Sequence, residues 1–200
     1  MLVADTAEAS RLLRERHGLG SERGPYHSFA GTRSHSVPLE PPAYLEFLTI
    51  ERRDVAEQTD VGRRVLAAEQ AGSGLLAWAV RVDDLDAVSR RLEIDIADYT
   101  VPHGDGTLRG WRTVTGPPHL PFFIDYPNNG DRVGRWRAMY DRVGHTCAPA
   151  GFTELTVGGP EDELGDWLGP HALPLRVTGG VPGLRAARIG TARGDVVIRA

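Results

Sequence analysis

Bulky apolar residues crowd two short stretches of the chain, AYLEFLTIE at 43–51 and PFFIDYPNN at 121–129, and each carries one acid near its middle. Runs of this length, rich in aromatic and branched side chains and flanked by proline, predict strands. LLAWAVRV at 75–82 predicts another. Helical spacing marks TAEASRLLRERHGL, with an Asp5/Thr6 start signal and glycines after it, and also DDLDAVSRRLE. RDVAEQTDVGRRVLAAEQAGSG reads as a linker helix that closes on a Gly/Ser turn.

These elements recur. At an offset of 79 residues, Val3, Asp5, Ser10, Arg11 and Leu13 fall on Val82, Asp84, Ser89, Arg90 and Leu92. GTRSHS (31–36) falls on GWRTVT (110–115), Pro38 and Pro42 on Pro117 and Pro121, and Glu46 on Asp125. That makes nine identities in forty-five positions, where composition alone gives roughly three. The repeating unit reads β-α-β-β-β. A third, shortened echo follows in FTELTVGGPEDELGDWLG, LPLRVTGG, LRAARIGTA and DVVIRA, with Arg199 where the other copies carry an acid. The predicted organisation is a first module at 1–51 whose first strand is mostly absent, a linker helix at 52–73, a second module at 74–130, a linker at 131–150 and a degenerate third module at 151–200.

Composition narrows the function. Apolar content of 40% and charged content of 25% fit a folded globular chain. A net charge of −4 argues against a nucleic-acid partner. No apolar run reaches 18 residues and no signal-type leader is visible, so the expectation is a cytoplasmic protein without a membrane partner. A single cysteine, Cys147, excludes an intramolecular disulfide framework, and no catalytic motif surrounds it.

The two acids need partners. An ionised carboxylate in an apolar strand protonates, pairs or coordinates. Arg33 and Arg112 recur at the same offset as Glu46 and Asp125, which makes Arg–carboxylate pairing one reading and a ligand cavity the other. Arg33 and His35 share one face of their strand by period two. His27, His103, His119 and His145 lie in or beside strand-rich segments without metal-type spacing. Trp78, Trp111, Phe123 and Tyr126 suit either a barrel core or an apolar pocket wall.

HSFAGTRSHSVPL followed by YLEFL, then VRVDDLDAVSRRL, GWR and LPFFIDYP, spanning about 27 to 127, resembles the vicinal-oxygen-chelate superfamily, and within it the glyoxalase-like domain proteins of bacteria. The resemblance implies an α+β fold of tandem βαβββ modules of the glyoxalase/bleomycin-resistance/dihydroxybiphenyl dioxygenase type. It implies a cavity faced by both fourth strands, with Glu46 as ligand or base, Asp125 as its symmetric partner, and both as candidate metal ligands. Arg33, His35, Arg112, His27 and Trp111 then become candidate substrate-binding residues. The candidate cofactor is a divalent ion, Mg²⁺, Mn²⁺, Zn²⁺ or Ni²⁺. Metal-dependent members place a His or Gln at the start of each first strand, whereas Gly74-Leu75 stands there in the second copy. Two functions therefore stay open: lyase, isomerase or dioxygenase chemistry on a small organic ligand, and metal-free binding or sequestration of a drug or metabolite. A homodimer is the expected assembly if a bare strand edge seeks a partner.

Overall fold

The computed structural model describes residues 1–72, 74–102, 106–127 and 131–199. Helix α1 (Thr6–His17) starts where the sequence places it: Asp5 accepts from the backbone N–H groups of Ala7 and Glu8, and Gly18 ends the helix in the left-handed region at φ 72°. Strands β1 (Glu22–His27), β2 (Thr32–Pro38) and β3 (Tyr44–Ile50) follow as an antiparallel sheet in that order. The linker holds two helices, α2 (Arg53–Ala56) and α3 (Asp60–Gln70), because the Thr59 hydroxyl caps a fresh start by accepting from Gly62. The second copy runs β4 (Ala79–Arg81), α4 (Leu85–Leu92, capped by Asp84), β5 (Ala97–Pro102), β6 (Leu108–Val114) and β7 (Phe122–Asp125), with sheet order β4-β7-β6-β5.

The stretch predicted as a linker at 131–150 contains helix α5 (Arg132–Arg142), which Asp131 caps by accepting from Gly134. The signal was available in that cap residue and in the spacing of Val133, Trp136 and Tyr140. The remaining elements are β8 (Pro149–Gly158), α6 (Glu161–Leu168), β9 (Leu175–Thr178), β10 (Gly183–Thr191) and β11 (Val196–Arg199). Their chain order repeats β-α-β-β-β, but their sheet runs β11-β10-β8-β9 with β8 parallel to β9. The first strand of this copy thus sits beside its second and third, where in the second copy it sits beside the fourth.

The chain divides into two compact units. One comprises Met1–Leu76, Asp131–Thr153 and Ala187–Ala200, and the other Ala77–Gly130 and Glu154–Ala186. In the first, Leu19, Val37, Leu39 and Phe47 are essentially inaccessible; in the second, Leu85, Val101, Val114 and Phe123 are. No helix among the described residues is long and apolar enough to cross a membrane.

Strand pairing locates the two copies against each other in sequence. In the second, β4 lies parallel to β7 with Arg81 opposite Ile124. In the first, residues 1–3 take the place of a first strand: Leu2 bridges Leu48 in parallel, Val3 N–H donates to the Leu48 carbonyl and Leu48 N–H to that of Met1. Arg81 minus 79 is Leu2, but Ile124 minus 76 is Leu48. The antiparallel pairs agree. Arg112 faces Asp125, whereas Arg33 faces Thr49, and Ser36 faces Glu46. The fourth strand is therefore equivalent at an offset of 76, because the first copy has three more residues between its third and fourth strands. Phe47 then matches Phe123, and Thr49 matches Asp125.

Candidate functional site

Three is an odd number, and side chains alternate between the faces of a strand, so the shift turns the acid of one copy to the other face. Glu46 and Asp125 are consequently not symmetric partners, which corrects the equivalence read from the ungapped repeat. Self-comparison at one offset assumes equal loop lengths, and the loops differ.

In the first unit, His35 lies opposite Phe47 and Arg33 opposite Thr49, on the face that carries α1. Helix residues Ala9, Leu12 and Leu13 line an apolar cavity of about 130 Å³ with Phe47 and Ile198. Glu46 lies opposite Ser36 and shares the other face with Thr32, Ser34, Tyr44 and Leu48. Arg33 donates to Glu51 through Nε and, at 2.9 Å, through Nη2, and its guanidinium stands over the Tyr26 ring. Arg33 and His35 thus do not meet Glu46, against the expectation that they position a substrate for it. His27 is buried with its Nδ1 3.2 Å from Thr32 Oγ1 and its ring stacked on Phe29. Burial, helped by the charge of Arg33, lowers its pKa to about 4, so it stays neutral and serves the turn between β1 and β2.

Glu46 is the one predicted acid whose chemistry is displaced. Desolvation raises its carboxyl pKa, opposed by the Met1 ammonium and the Ser34 hydroxyl. The Met1 amino group donates to the Glu46 backbone carbonyl. Ser34 Oγ is buried and has no hydrogen-bond partner of good geometry among the described residues. A Cβ on Gly24 would come within 2.2 Å of that oxygen, so glycine is what lets β1 pass over it. At the Tyr44 end of β3, the Tyr44 ring stacks on Trp136 of α5 with centroids 4.5 Å apart, and the Arg132 guanidinium lies over both rings. The outcome is a sheet face of hydroxyls and one reluctant carboxylate, with an aromatic–cation cluster at Tyr44.

In the second unit, Asp125 is 8% exposed and closed into an ion pair. Arg112 donates from Nε to Oδ1 at 3.0 Å and from Nη2 to Oδ2 at 2.5 Å, and Nη2 also reaches Asp86 of α4 at 3.2 Å. This fork-to-carboxylate geometry satisfies both oxygens of the acid. Here the pairing reading of the sequence holds, and Arg112 is a structural partner of Asp125. Trp111 lies on the opposite face of β6 and stacks on Tyr99. His103 is outside the described residues.

A divalent ion asks for more than these residues offer. Among the described residues no group of three or more His, Cys, Asp and Glu is close enough to hold one. Asp125 gives both oxygens to Arg112, and the strand neighbours of Glu46 are serine hydroxyls and apolar side chains. Zinc and nickel prefer nitrogen or sulfur donors, and Mg²⁺ or Mn²⁺ would find one carboxylate. The donor set among the described residues does not fit such an ion. The remaining titratable candidates have other partners. His119 Nε2 lies 3.1 Å from Glu163, His145 Nδ1 accepts from Gly20 N–H, and Cys147 is buried with its thiol pKa pushed up by that burial.

The fold has relatives. A hypothetical protein from Staphylococcus aureus superposes with a TM-score of 0.67 at 14% identity, covering 88% of this chain and 83% of that one. A comparison with curated proteins finds no match. The sequence profile described as glyoxalase-like domain matches residues 1–170, which takes in both βαβββ copies and the first strand and helix of the third. The chain belongs to the glyoxalase-like domain family of the vicinal-oxygen-chelate superfamily.

Proposed function

We propose that this glyoxalase-like protein binds a small oxygen-bearing organic molecule on the Glu46 face of its first sheet, without a resident metal ion. The observation that carries the reading is the Glu46 carboxyl itself: its pKa is raised by desolvation, and it lies on a face with Ser34 and Ser36. A desolvated carboxyl of this kind is a candidate functional group, whereas Asp125 is closed into a pair with Arg112. A carboxyl that keeps its proton to higher pH can donate to a ligand carbonyl or carboxylate, which an ordinary glutamate cannot do. When ionised, it can take a proton from the bound molecule. Serine hydroxyls beside the carboxyl supply adaptable hydrogen-bond donors and acceptors.

Sequestration and proton-transfer catalysis share this geometry and differ in turnover. The test is a thermal-shift and NMR screen of small oxygen-rich metabolites against the full chain, with and without chelator. Ligands found in this way should bind at least tenfold more weakly to Glu46→Gln, a loss of about 1.4 kcal/mol for one hydrogen bond to a charged or protonated carboxyl. Binding unaffected by Glu46→Gln removes the reading. Stoichiometric metal in the purified protein that is lost on Glu46→Ala would establish the metal-dependent lyase, isomerase or dioxygenase reading in its place.

A further inference from the structure

His35 and the outward side of α1 belong to a different place. A groove of about 390 Å³ is lined by Ala7, Ser10, Arg11 and Arg14 of α1, Ser21 and Arg23 at the start of β1, and His35 of β2. Three guanidiniums and no carboxylate line it among the described residues.

The charges are unequally spent. Arg11 is held between Glu8 and Glu15 along its own helix, at 2.7 and 2.6 Å. Arg14 donates to the backbone carbonyls of Val143 and Gly144, which are neutral acceptors, and makes no ion pair among the described residues. Arg23 is exposed and makes no ion pair among the described residues. His35 Nδ1 is buried with no hydrogen-bond partner among the described residues. Ser10 and Ser21 hydroxyls touch at 2.5 Å across the groove, one donating to the other. Asp5 and Glu51 lie outside the lining and act on His35 and Arg23 only at longer range.

We infer that this groove is an anion site for a phosphate monoester, distinct from the Glu46 face on the other side of the sheet. The shape of the donors selects the ligand. They come from three elements, α1, β1 and β2, and so converge from several directions. A planar carboxylate meets one guanidinium edge; a tetrahedral phosphate has three terminal oxygens for donors on different sides. Two guanidiniums that make no ion pair among the described residues match a dianion. The groove is several times the volume of the bare ion, which leaves space for an organic body esterified to it.

The experiment is a titration of the full chain with inorganic phosphate and with phenyl phosphate, read by His35 ring resonances in NMR and by calorimetry. Both probes should shift the His35 signals saturably, and phenyl phosphate should bind more tightly than phosphate. Arg23→Ala should weaken both at least tenfold while leaving the melting temperature without phosphate unchanged, since that side chain has no ion pair to lose. Arg64→Ala, on the exposed side of α3, should change nothing. Glu46→Gln should leave the titration intact, so failure of the Glu46 reading and failure of this one are separable. No saturable shift of His35, an unaffected Arg23→Ala, or equal binding of succinate overturns the inference.

Discussion

Replacing Trp167 with alanine is expected to lower the unfolding free energy by about 4 kcal/mol, the usual cost of deleting a large buried ring. The indole is nearly enclosed and packs beside Phe123, ring centroids 5.9 Å apart. Its Nε1–H donates to the Pro121 carbonyl at 2.8 Å, just before β7. Gly116 approaches the ring so closely that a Cβ there would come within 2.1 Å of it. Arg91 of α4 fixes the helix that carries the ring by donating to the carbonyls of Asp166 and Trp167. Truncation therefore opens a void beside Phe123 and Gly116 and leaves the Pro121 carbonyl without its donor. Trp167→Phe keeps most of the ring and loses the hydrogen bond, so its cost should be about 1 kcal/mol. Denaturant midpoints for the two variants measure both. A loss below about 1 kcal/mol for Trp167→Ala would mean the indole is not seated as described.

Arg112→Ala is expected to cost about 3 kcal/mol, the lower end for breaking a buried ion pair, because the Arg112 side chain is itself 25% exposed. Most of that loss comes from Asp125, left nearly buried with an uncompensated carboxylate. The pair itself is a different quantity. Replacing both residues with leucine should recover most of the stability, since well-packed apolar side chains often match a buried ion pair. Arg112→Lys should fall between, because one ammonium cannot serve two oxygens and Asp86 in the same fork. Unfolding in urea at neutral pH measures all three variants against the parent. If Arg112→Ala were as stable as the parent, Asp125 would not depend on it and would become available for a ligand.

Much of the fold is legible in the sequence, and the reasons are local. Asp5 and Asp84 cap helices and predict their starts; the glycines after His17 predict the first one's end. The βαβββ repeat is carried by identities in the helices, at Ser10 and Arg11, and at the third strands, at Gly31 just before β2 and Arg33 within it, where no insertion intervenes. The face of each fourth strand is not legible. FLTI and FIDY are nearly continuous apolar runs with one polar residue, so neither carries the apolar–polar alternation that would reveal which side is which. The three-residue difference between loops is invisible to a single offset, although Phe47 against Phe123 at an offset of 76 would have shown it. Those two rings are among the largest fully buried side chains of the molecule. Helix α5 was hidden by arginine-rich composition, yet its Trp136 is what stacks on Tyr44 at one end of the Glu46 face. His35 and Arg33 share a strand with Ser34 and Ser36, and only the helix seated on the sheet tells which pair faces it.

The most direct test of this account is a pH titration of the Glu46 side-chain carbon by ¹³C NMR, assigned by its disappearance in Glu46→Gln. Desolvation should make this carboxyl titrate above the ordinary glutamate value of 4.5. The folded chain then holds that proton to higher pH than the unfolded chain does. The stabilisation this provides is complete below pH 4.5 and fades as pH rises through the folded value, so the stability of Glu46→Gln relative to the parent should improve across that window. A Glu46 carbon titrating at or below 4.5, with a stability difference independent of pH, would show an exposed, ordinary glutamate and contradict the site.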